Sequence, residues 1–300
     1  MSPTEPALRI ALLSERPDAY STRRLVEAAG QRGHQVTVLS TLACSEAGPP
    51  EGGLIWAGQR VGPFDGIIPR IGAPIIAAGA AVLARLEAEG GVGLNSAAAM
   101  VLAANKARAI DSLVGAGLPM PRTLKVEAAE QIAPTVAQLG GYPIVVKALA
   151  GSGGRGVSLA SSLEAAQRRV RDGPCLFQAF VAEAKGRDLR LFVIGDRVAA
   201  AMMRQAQQGE FRANLSLGAG ALAITPTPEE IRFALSATRT LGLEVAGVDL
   251  VRSRQGPLLL EVNGSPGLQG IERVSGVRLA EHIILQLEAQ VASRLTNRAP

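Results

Sequence analysis

Two carboxylates and one amide near the end of the chain have the types and spacing for metal chemistry. Asp249 lies in the apolar run Val245-Ala-Gly-Val-Asp-Leu-Val, and Glu261 and Asn263 lie in Pro257-Leu-Leu-Leu-Glu-Val-Asn. The runs flank Ser253-Arg-Gln-Gly256, a short polar turn with glycine, and together they read as a β-hairpin. With the turn centred on 254–256, Asp249 falls opposite Glu261 to within one residue. Glu261 and Asn263 are two apart and share a strand face. A buried carboxylate with no partner is costly. A divalent cation removes that cost, and an all-oxygen set suits Mg²⁺ or Mn²⁺. A satisfied structural carboxylate pair is the other reading of the same residues. Gly264–Gly267, a loop of phosphate size directly after the strand, favours the metal.

Lysine is rare, with four among 31 basic side chains. Two of the four sit beside loops suited to phosphate, where a compact point charge is useful. Lys147 ends the apolar run Ile144–Lys147 and precedes Gly151-Ser152-Gly153-Gly154-Arg155-Gly156. This has the G-x-G-x-x-G spacing, but a dinucleotide-binding turn needs strand, turn and helix. Val157-Ser-Leu-Ala reads instead as a strand. The glycines are therefore a flap between two strands, with N–H groups available to phosphate. Lys106 follows Asn105 at the head of a helical segment. No G-x-x-x-x-G-K-[ST] occurs, which excludes a P-loop. None of these groups is a nucleophile, and phosphoryl transfer needs none, because positioning and charge neutralisation do the catalysis. Arg70, in Pro69-Arg-Ile-Gly72, follows a parallel strand, where open α/β sheets bind ligands. It can hold a carboxylate bidentately, and a plain surface arginine fits the same residues. His34 and His282 have no Ser or Cys partner in a recognisable elbow and read as packing or surface residues.

The elements that must position these groups follow from periodicity and caps. A strand over Leu8–Leu13, a helix capped by Ser21 and running to Arg32, and strands over Gln35–Leu39 and Gly66–Pro69 predict a small parallel sheet. Residues 45–53 read as loop. A helix over 74–89 and one capped by Ser96 lead to Asn105-Lys106, the boundary of the first lobe. Beyond it, strands over 123–126, 144–147, 157–160 and 175–181 alternate with helices over 128–139 and 162–171. Asp188–Ile194 and Val198–Met203 form a hairpin, with Asp188 and Arg190 on one face. The polar, Gly-rich stretch 205–220, containing Phe211-Arg212-Ala213-Asn214, is the best candidate for a mobile loop. Thr227 caps a helix to Leu241, and a last helix spans Leu279–Arg294. The class is mixed α/β (α+β).

Three hundred residues fit two or three lobes rather than one core. An apolar content of 47% with 19% charge fits a soluble globular enzyme. Aromatics at 3% supply base stacking poorly, so no nucleic-acid partner is expected. The net charge of +5 is scattered and gives a mild preference for anions. Cys44 and Cys175 have no metal or redox spacing and read as free thiols. No signal peptide is evident, and the longest apolar run, Ala73–Ala84, is too short to span a bilayer. A cytoplasmic protein with no membrane partner is expected.

The motifs just quoted resemble the RimK family of the ATP-grasp superfamily over nearly the whole chain. Those carrying the likeness are Pro69-Arg-Ile-Gly72, Val146-Lys147 with the flap, Gly186-Arg-Asp188-Leu-Arg190, Gly209-Glu-Phe-Arg-Ala-Asn214, Val245–Asp249 and Glu261–Glu272. The resemblance implies an ATP-grasp fold over 106–300 behind a pre-ATP-grasp parallel-sheet domain over 1–105. Within the former it implies a central lid at about 120–180 and a metal- and ATP-binding part at about 181–295. Lys106 and Lys147 would contact ATP phosphates under the flap of Gly151, Ser152, Gly153, Gly154 and Gly156. Gln178, Ala179, Phe180 and Val181 would hold adenine, and Asp188, with Arg190 beside it, would take the ribose side. Arg212 would face the transferring phosphate, with Ala213 and Asn214 next to it, so Arg212 and Lys147 are the catalytic candidates. Asp249, Glu261 and Asn263 would hold two Mg²⁺ or Mn²⁺.

The implied activity is a carboxylate–amine ligation through an acyl phosphate. It adds L-glutamate to an acceptor carboxylate, the C-terminus of a small-subunit ribosomal protein, in a homo-oligomeric enzyme of which a tetramer is one form. A small cofactor or an amino-group carrier is the alternative acceptor. The chain departs from the pattern of the ribosomal-protein ligases at Ala179, where that pattern has Glu, and at Ser216 and Leu217, which follow Asn214.

Overall fold

The computed structural model describes residues 6–48, 52–149 and 156–296. Strand β1 (Arg9–Leu13), helix α1 (Tyr20–Gln31) and strand β2 (Gln35–Leu39) open the first lobe. Leu25, Ala28 and Ala29 form the inner face of α1, as the spacing predicts. Ser21 does not cap the helix. The helix starts at Tyr20 without a side-chain cap among the described residues, and Ser21 Oγ instead accepts the Leu268 N–H at 3.1 Å. Strands β3 (Cys44–Glu46), β4 (Leu54–Trp56) and β5 (Gln59–Val61) form a small antiparallel sheet. Part of it occupies the stretch read as loop, because three-residue edge strands carry too little alternation to detect.

Strand β6 (Gly66–Pro69), helix α2 (Ile76–Ala88) and strand β7 (Val92–Gly93) complete a parallel sheet of order β2-β1-β6-β7. Helix α3 (Ala97–Ala104) is capped by Ser96, whose Oγ accepts the Ala99 N–H, and α4 (Lys106–Gly115) by Asn105. The Asn105 cap sets Lys106 at the first position of α4.

Four strands form the second antiparallel sheet, in the order β10-β9-β11-β8. They are β8 (Thr123–Val126), β9 (Ile144–Ala148), β10 (Val157–Ala160) and β11 (Cys175–Ala179). Helices α5 (Ile132–Gln138) and α6 (Leu163–Arg171) cover this sheet through Ile132, Val136, Ala166 and Val170.

The third sheet has the order β14-β13-β12-β15-β16. Its strands are β12 (Arg187–Ile194), β13 (Arg197–Gln205), β14 (Gly220–Ala223), β15 (Val245–Ser253) and β16 (Gly256–Asn263). Leu189, Leu191 and Val193 of β12 face helix α7 (Pro228–Thr240), while Phe192 and Ile194 face the other way. This is the two-residue period of a sheet buried on both faces. Helices α8 (Gln269–Ser275) and α9 (Leu279–Thr296) close the second face.

Helix α9 also packs on the first sheet. Ile283, Ile284 and Leu287 share a core with Ile10 and Leu12. Gly66 of β6 makes this approach possible, since a Cβ there would lie 2.7 Å from Leu287 Cδ2. The contact is locked by Glu288, which accepts Arg32 Nε at 2.6 Å and Nη2 at 2.7 Å and pairs with His34 Nε2 at 2.6 Å. His34 is thus a buried structural residue, its Nδ1 accepting the Leu8 N–H. Among the described residues no helix is long and apolar enough to cross a membrane.

Candidate active site

The hairpin of β15 and β16 sets Asp249 directly opposite Glu261, and Gly247 opposite Asn263. Ser253 pairs with Gly256 at the turn, and continuing that register would place Leu260 opposite Asp249. A bulge between Asp249 and Leu250 shifts the register by one and brings Glu261 there instead. Bulges re-aim side chains beside active sites in this way. A second bulge, between Phe192 and Val193, does the same for β12 and β13. Ile194 pairs with Arg197 at that turn, so an unbroken ladder would put Met203 opposite Asp188. The bulge puts Arg204 there.

The two shifts assemble a network of alternating charge. Arg204 donates from Nε to Asp188 Oδ1 at 2.6 Å and from Nη2 to Asp188 Oδ2 at 2.8 Å. The same Nη2 reaches Asp249 Oδ2 at 2.7 Å. Arg190, opposite Asp249 on β12, donates to both its oxygens at 2.7 Å. Burial pushes the Asp249 carboxyl up, but the two guanidiniums outweigh it and hold it well below the usual carboxylate range. Burial dominates at Asp188 and raises it against the pull of Arg204. Two anions and two cations cancel, which is how this much charge is tolerated in the interior.

One cleft opens on this network through Asp188, Arg204 and Asp249, and a second adjoins the first. The first, about 800 Å³, is lined by Lys147, Gln178, Ala179, Phe180, Val181 and Asp188, and by Arg212, Ala213, Asn214, Asp249 and Glu261. Val145, Val251, Leu260 and Phe211 give it apolar walls suited to a flat ring. The second, about 1320 Å³, is lined by Lys106, Lys147, Glu261, Asn263, Gly264 and Ser265, and on the first-lobe side by Ile71, Gly72 and Ala73. Lys147, Val157, Leu260 and Glu261 belong to both.

Burial lowers the pKa of Lys147 and of Lys106, and Glu261 opposes the shift at each. Lys106 Nζ donates to the Ala148 carbonyl at 2.6 Å, fixing it against β9. Gln178 is buried, with Nε2 donating to Thr123 Oγ1 at 2.8 Å. Arg212 is held by Glu210 on its own loop, Nη2 to Oε2 at 2.7 Å, and reaches the Val157 carbonyl at 3.3 Å. Its hydrogen bond holds the Glu210 carboxyl down to about 2.

The structure thus gathers most of the residues singled out from the sequence. Arg190 is an exception, because it lines neither cleft and is turned onto Asp249. Asn263 Oδ1 accepts the Ser265 N–H at 2.9 Å. Gly156 accepts the Ala148 N–H through its carbonyl at 2.7 Å, while Gly151, Ser152, Gly153 and Gly154 lie outside the described residues. Three cations of the first cleft escape the sequence reading: Lys185, Arg187 and Arg204. Lys185, a third lysine, lines the first cleft. Its rarity in the chain was the available signal. Arg204 carried no such signal, since its place depends on a bulge.

Residues 103–287 match the family of the RimK-like ATP-grasp domain, and residues 8–100 match that of the RimK PreATP-grasp domain. The chain belongs to the RimK-like ATP-grasp family. A relative from Picosynechococcus sp. named probable alpha-L-glutamate ligase is 43% identical over 95% of this chain and 97% of its own length. Another, from Hahella chejuensis, named probable alpha-L-glutamate ligase 1, is 45% identical over 91% of this chain and 92% of its own. The crystal structure of the RimK domain protein ATP-grasp from Sphaerobacter thermophilus is 25% identical, with a TM-score of 0.72 over 93% of this chain and 99% of that one. The ATP-grasp ligase PsnB, solved with a phosphomimetic variant of its minimal precursor, Mg and ADP, shares the fold at 23% identity. Its TM-score is 0.74 over 94% of this chain and 98% of its own. The first lobe with its parallel sheet and the two antiparallel sheets beyond it are therefore a RimK-like pre-ATP-grasp and ATP-grasp arrangement.

Proposed function

We propose that the chain is an ATP-dependent carboxylate–amine ligase that joins L-glutamate through its amine to an acceptor carboxylate. The observation that carries this reading is the wall shared by the two clefts. Lys147 and Glu261 face both, so a nucleotide in the first and an acceptor in the second would meet at one charged boundary. In the first step a carboxylate oxygen of the acceptor attacks the γ-phosphorus, and ADP leaves. In the second the glutamate nitrogen attacks the acyl carbon, and phosphate leaves with the amide formed. Lys106, Lys147 and Arg212 neutralise the transferring phosphoryl group, and the apolar walls with Gln178–Val181 seat the base. Closure over the site keeps water from the acyl phosphate.

Asp249, Glu261 and Asn263 form an all-oxygen set that fits Mg²⁺ or Mn²⁺. Among the described residues no cluster of three acidic, His or Cys side chains stands ready to cage an ion alone. Mg²⁺ is usually held by one or two carboxylates together with substrate phosphates, and the Arg-neutralised Asp249 with the exposed Glu261 suits that sharing. One or two such ions would supply charge neutralisation at the phosphates.

The acceptor in this reading is the C-terminus of a small-subunit ribosomal protein. The relatives named as alpha-L-glutamate ligases support the glutamyl donor. The precursor peptide bound to PsnB in another of its structures supports a peptide acceptor. The net charge of +5 favours an acidic tail. The same reading makes the enzyme a cytoplasmic homo-oligomer. The test supplies labelled glutamate, ATP and Mg²⁺ with purified small-subunit ribosomal proteins, and separately with a small-molecule extract. Label in one ribosomal protein, released by carboxypeptidase, is expected. Label confined to the small-molecule fraction moves the acceptor to a cofactor or carrier, and no label in either sinks the ligase reading.

A further inference from the structure

We propose that Arg70 anchors a substrate carboxylate that does not itself react. The proposal deepens the ligase reading and rests on it for the identity of the substrates. Arg70 directly follows β6, and its N–H bonds the Leu13 carbonyl at the end of β1. In a sheet of order β2-β1-β6-β7 the chain leaves β1 towards β2 on one side and returns to β6 on the other. The crevice between the carboxyl ends of β1 and β6 is therefore the topological switch point, where open α/β sheets bind ligands.

The side chain there is unlike the other half-buried and buried arginines of the site. Arg190 and Arg204 each hold carboxylates at 2.6–2.8 Å. The Arg70 guanidinium has no hydrogen bond or ion pair with any described residue. It is half-buried, and burial alone pushes it down to about 10, with no neighbouring carboxylate to offset that. The guanidinium remains charged at neutral pH, and a desolvated charge with no partner costs stability unless a ligand completes it.

Its surroundings keep anions of the protein away. Glu15, on the same sheet edge, is committed to Ser40 Oγ, to Thr41 N and Oγ1, and to Leu42 N. Helices α1 and α2 both begin at this edge, and neither has an acidic residue in its first turn. The site also touches the chemistry. Ile71, Gly72 and Ala73, the next three residues, line the second cleft opposite Asn263, Gly264 and Ser265. The loop after β16 is tied to the start of α1 by the bond from Leu268 to Ser21. Arg70 itself lines neither cleft, but it directly precedes this wall, so a ligand with its reacting end at Glu261 and Lys147 that continues past Ile71–Ala73 would reach it. The planar guanidinium fork matches a carboxylate. Both substrates of the ligase reading supply one: glutamate has two spare carboxylates, and an acidic acceptor tail has another beside the reacting group.

The test titrates three probes into the full chain in the presence of ADP and Mg²⁺, for the wild type, Arg70→Gln and Arg70→Lys. The probes are L-glutamate, its neutral isostere L-glutamine, and N-acetyl-α-L-glutamyl-L-glutamate, whose blocked amine makes it an acceptor mimic only. Arg70→Gln is expected to weaken one acidic probe on the order of tenfold or more, as when one partner of a charge pair is truncated. ADP affinity should be unchanged, and Arg70→Lys should fall between. A loss on L-glutamate assigns the site to the amine substrate: its preference over L-glutamine is erased where Arg70 takes the side-chain carboxylate, and L-glutamine weakens equally where it takes the α-carboxylate that both share. A loss on the blocked dipeptide assigns it to the acceptor. The melting temperature of Arg70→Gln should equal or exceed that of the wild type, because an uncompensated charge is removed. A variant that binds both acidic probes as the wild type does, or a wild type that binds neither, overturns the proposal. So does a fall in melting temperature that takes ADP affinity with it. Glutamate-dependent ADP release by the wild type is read separately. Its absence with probe binding intact counts against the ligase reading and leaves the Arg70 site standing.

Discussion

The side-chain amide of Asn95 pairs with both main-chain groups of Val245. Nδ2 donates to the Val245 carbonyl at 2.8 Å, and Oδ1 accepts the Val245 N–H at 3.0 Å. The same Nδ2 also donates to the Gly264 carbonyl at 2.8 Å, and Oδ1 accepts the Glu244 N–H at 2.7 Å. Asn95 is buried between the first lobe and the start of the metal-candidate hairpin, so one side chain fastens the lobe to both β15 and the loop after β16. Asn95→Ala leaves buried main-chain groups without partners and is expected to cost about 3 kcal/mol. Urea denaturation measures it, and a loss below 1 kcal/mol would show that water replaces the amide.

Among the described residues, Arg204 alone bridges Asp188 and Asp249. Arg204→Met leaves two carboxylates facing each other in the interior, and breaking a buried pair of this kind costs about 3–5 kcal/mol. Arg204→Lys keeps the charge but offers a single ammonium where a planar fork spans both acids, so it recovers only part. Equal stability of the Met and Lys variants would show that the bridge is not electrostatic. The two melting curves decide it.

Glu288 gives the fold a dependence on acid. Burial raises its carboxyl, but the hydrogen bonds from Arg32 and His34 outweigh that and set it below its ordinary value. A carboxyl depressed on folding adds stability above its unfolded pKa and loses it as pH falls through the folded one. The difference in stability between the wild type and Glu288→Gln, about 2 kcal/mol near pH 6 by the strength of charged hydrogen bonds, should shrink steadily below pH 4.5. Calorimetry from pH 6 to pH 3 reads it, and a gap that stays constant would remove Glu288 as the cause.

Much of this was readable from residue types. The apolar alternation and turn placed Asp249 against Glu261 to within one residue, and the caps at Ser96 and Thr227 are where short polar side chains meet apolar runs. Ser21 has the same local signature, yet its hydroxyl serves Leu268, 247 positions away in the chain. No local pattern shows that. Arg204 was illegible for a sharper reason. Counting back from Gly195-Asp196 pairs Asp188 with Met203, and only the bulge at Phe192 and Val193 moves Arg204 into place. The charge network is thus written in register, which a bulge changes by one residue without a strong mark on composition. Lys185 lies just before β12 and was passed over because no loop of glycines flanks it.

Glu261 combines exposure with a position in both clefts. It has no ion pair with a described residue, so Glu261→Gln should fold with stability within about 0.5 kcal/mol of the wild type, as for a surface change. Turnover should fall by about 10²–10³, the usual effect of removing one group that neutralises developing charge. A second readout needs no turnover. Glu261 opposes the burial that lowers Lys106 and Lys147, so in its absence both ammonium groups deprotonate at lower pH. ADP affinity measured without divalent metal should therefore begin its alkaline decline at lower pH in Glu261→Gln than in the wild type. Coincident pH profiles would mean that Glu261 does not act on the lysines. Near-normal turnover with Mg²⁺ would remove it from the metal set.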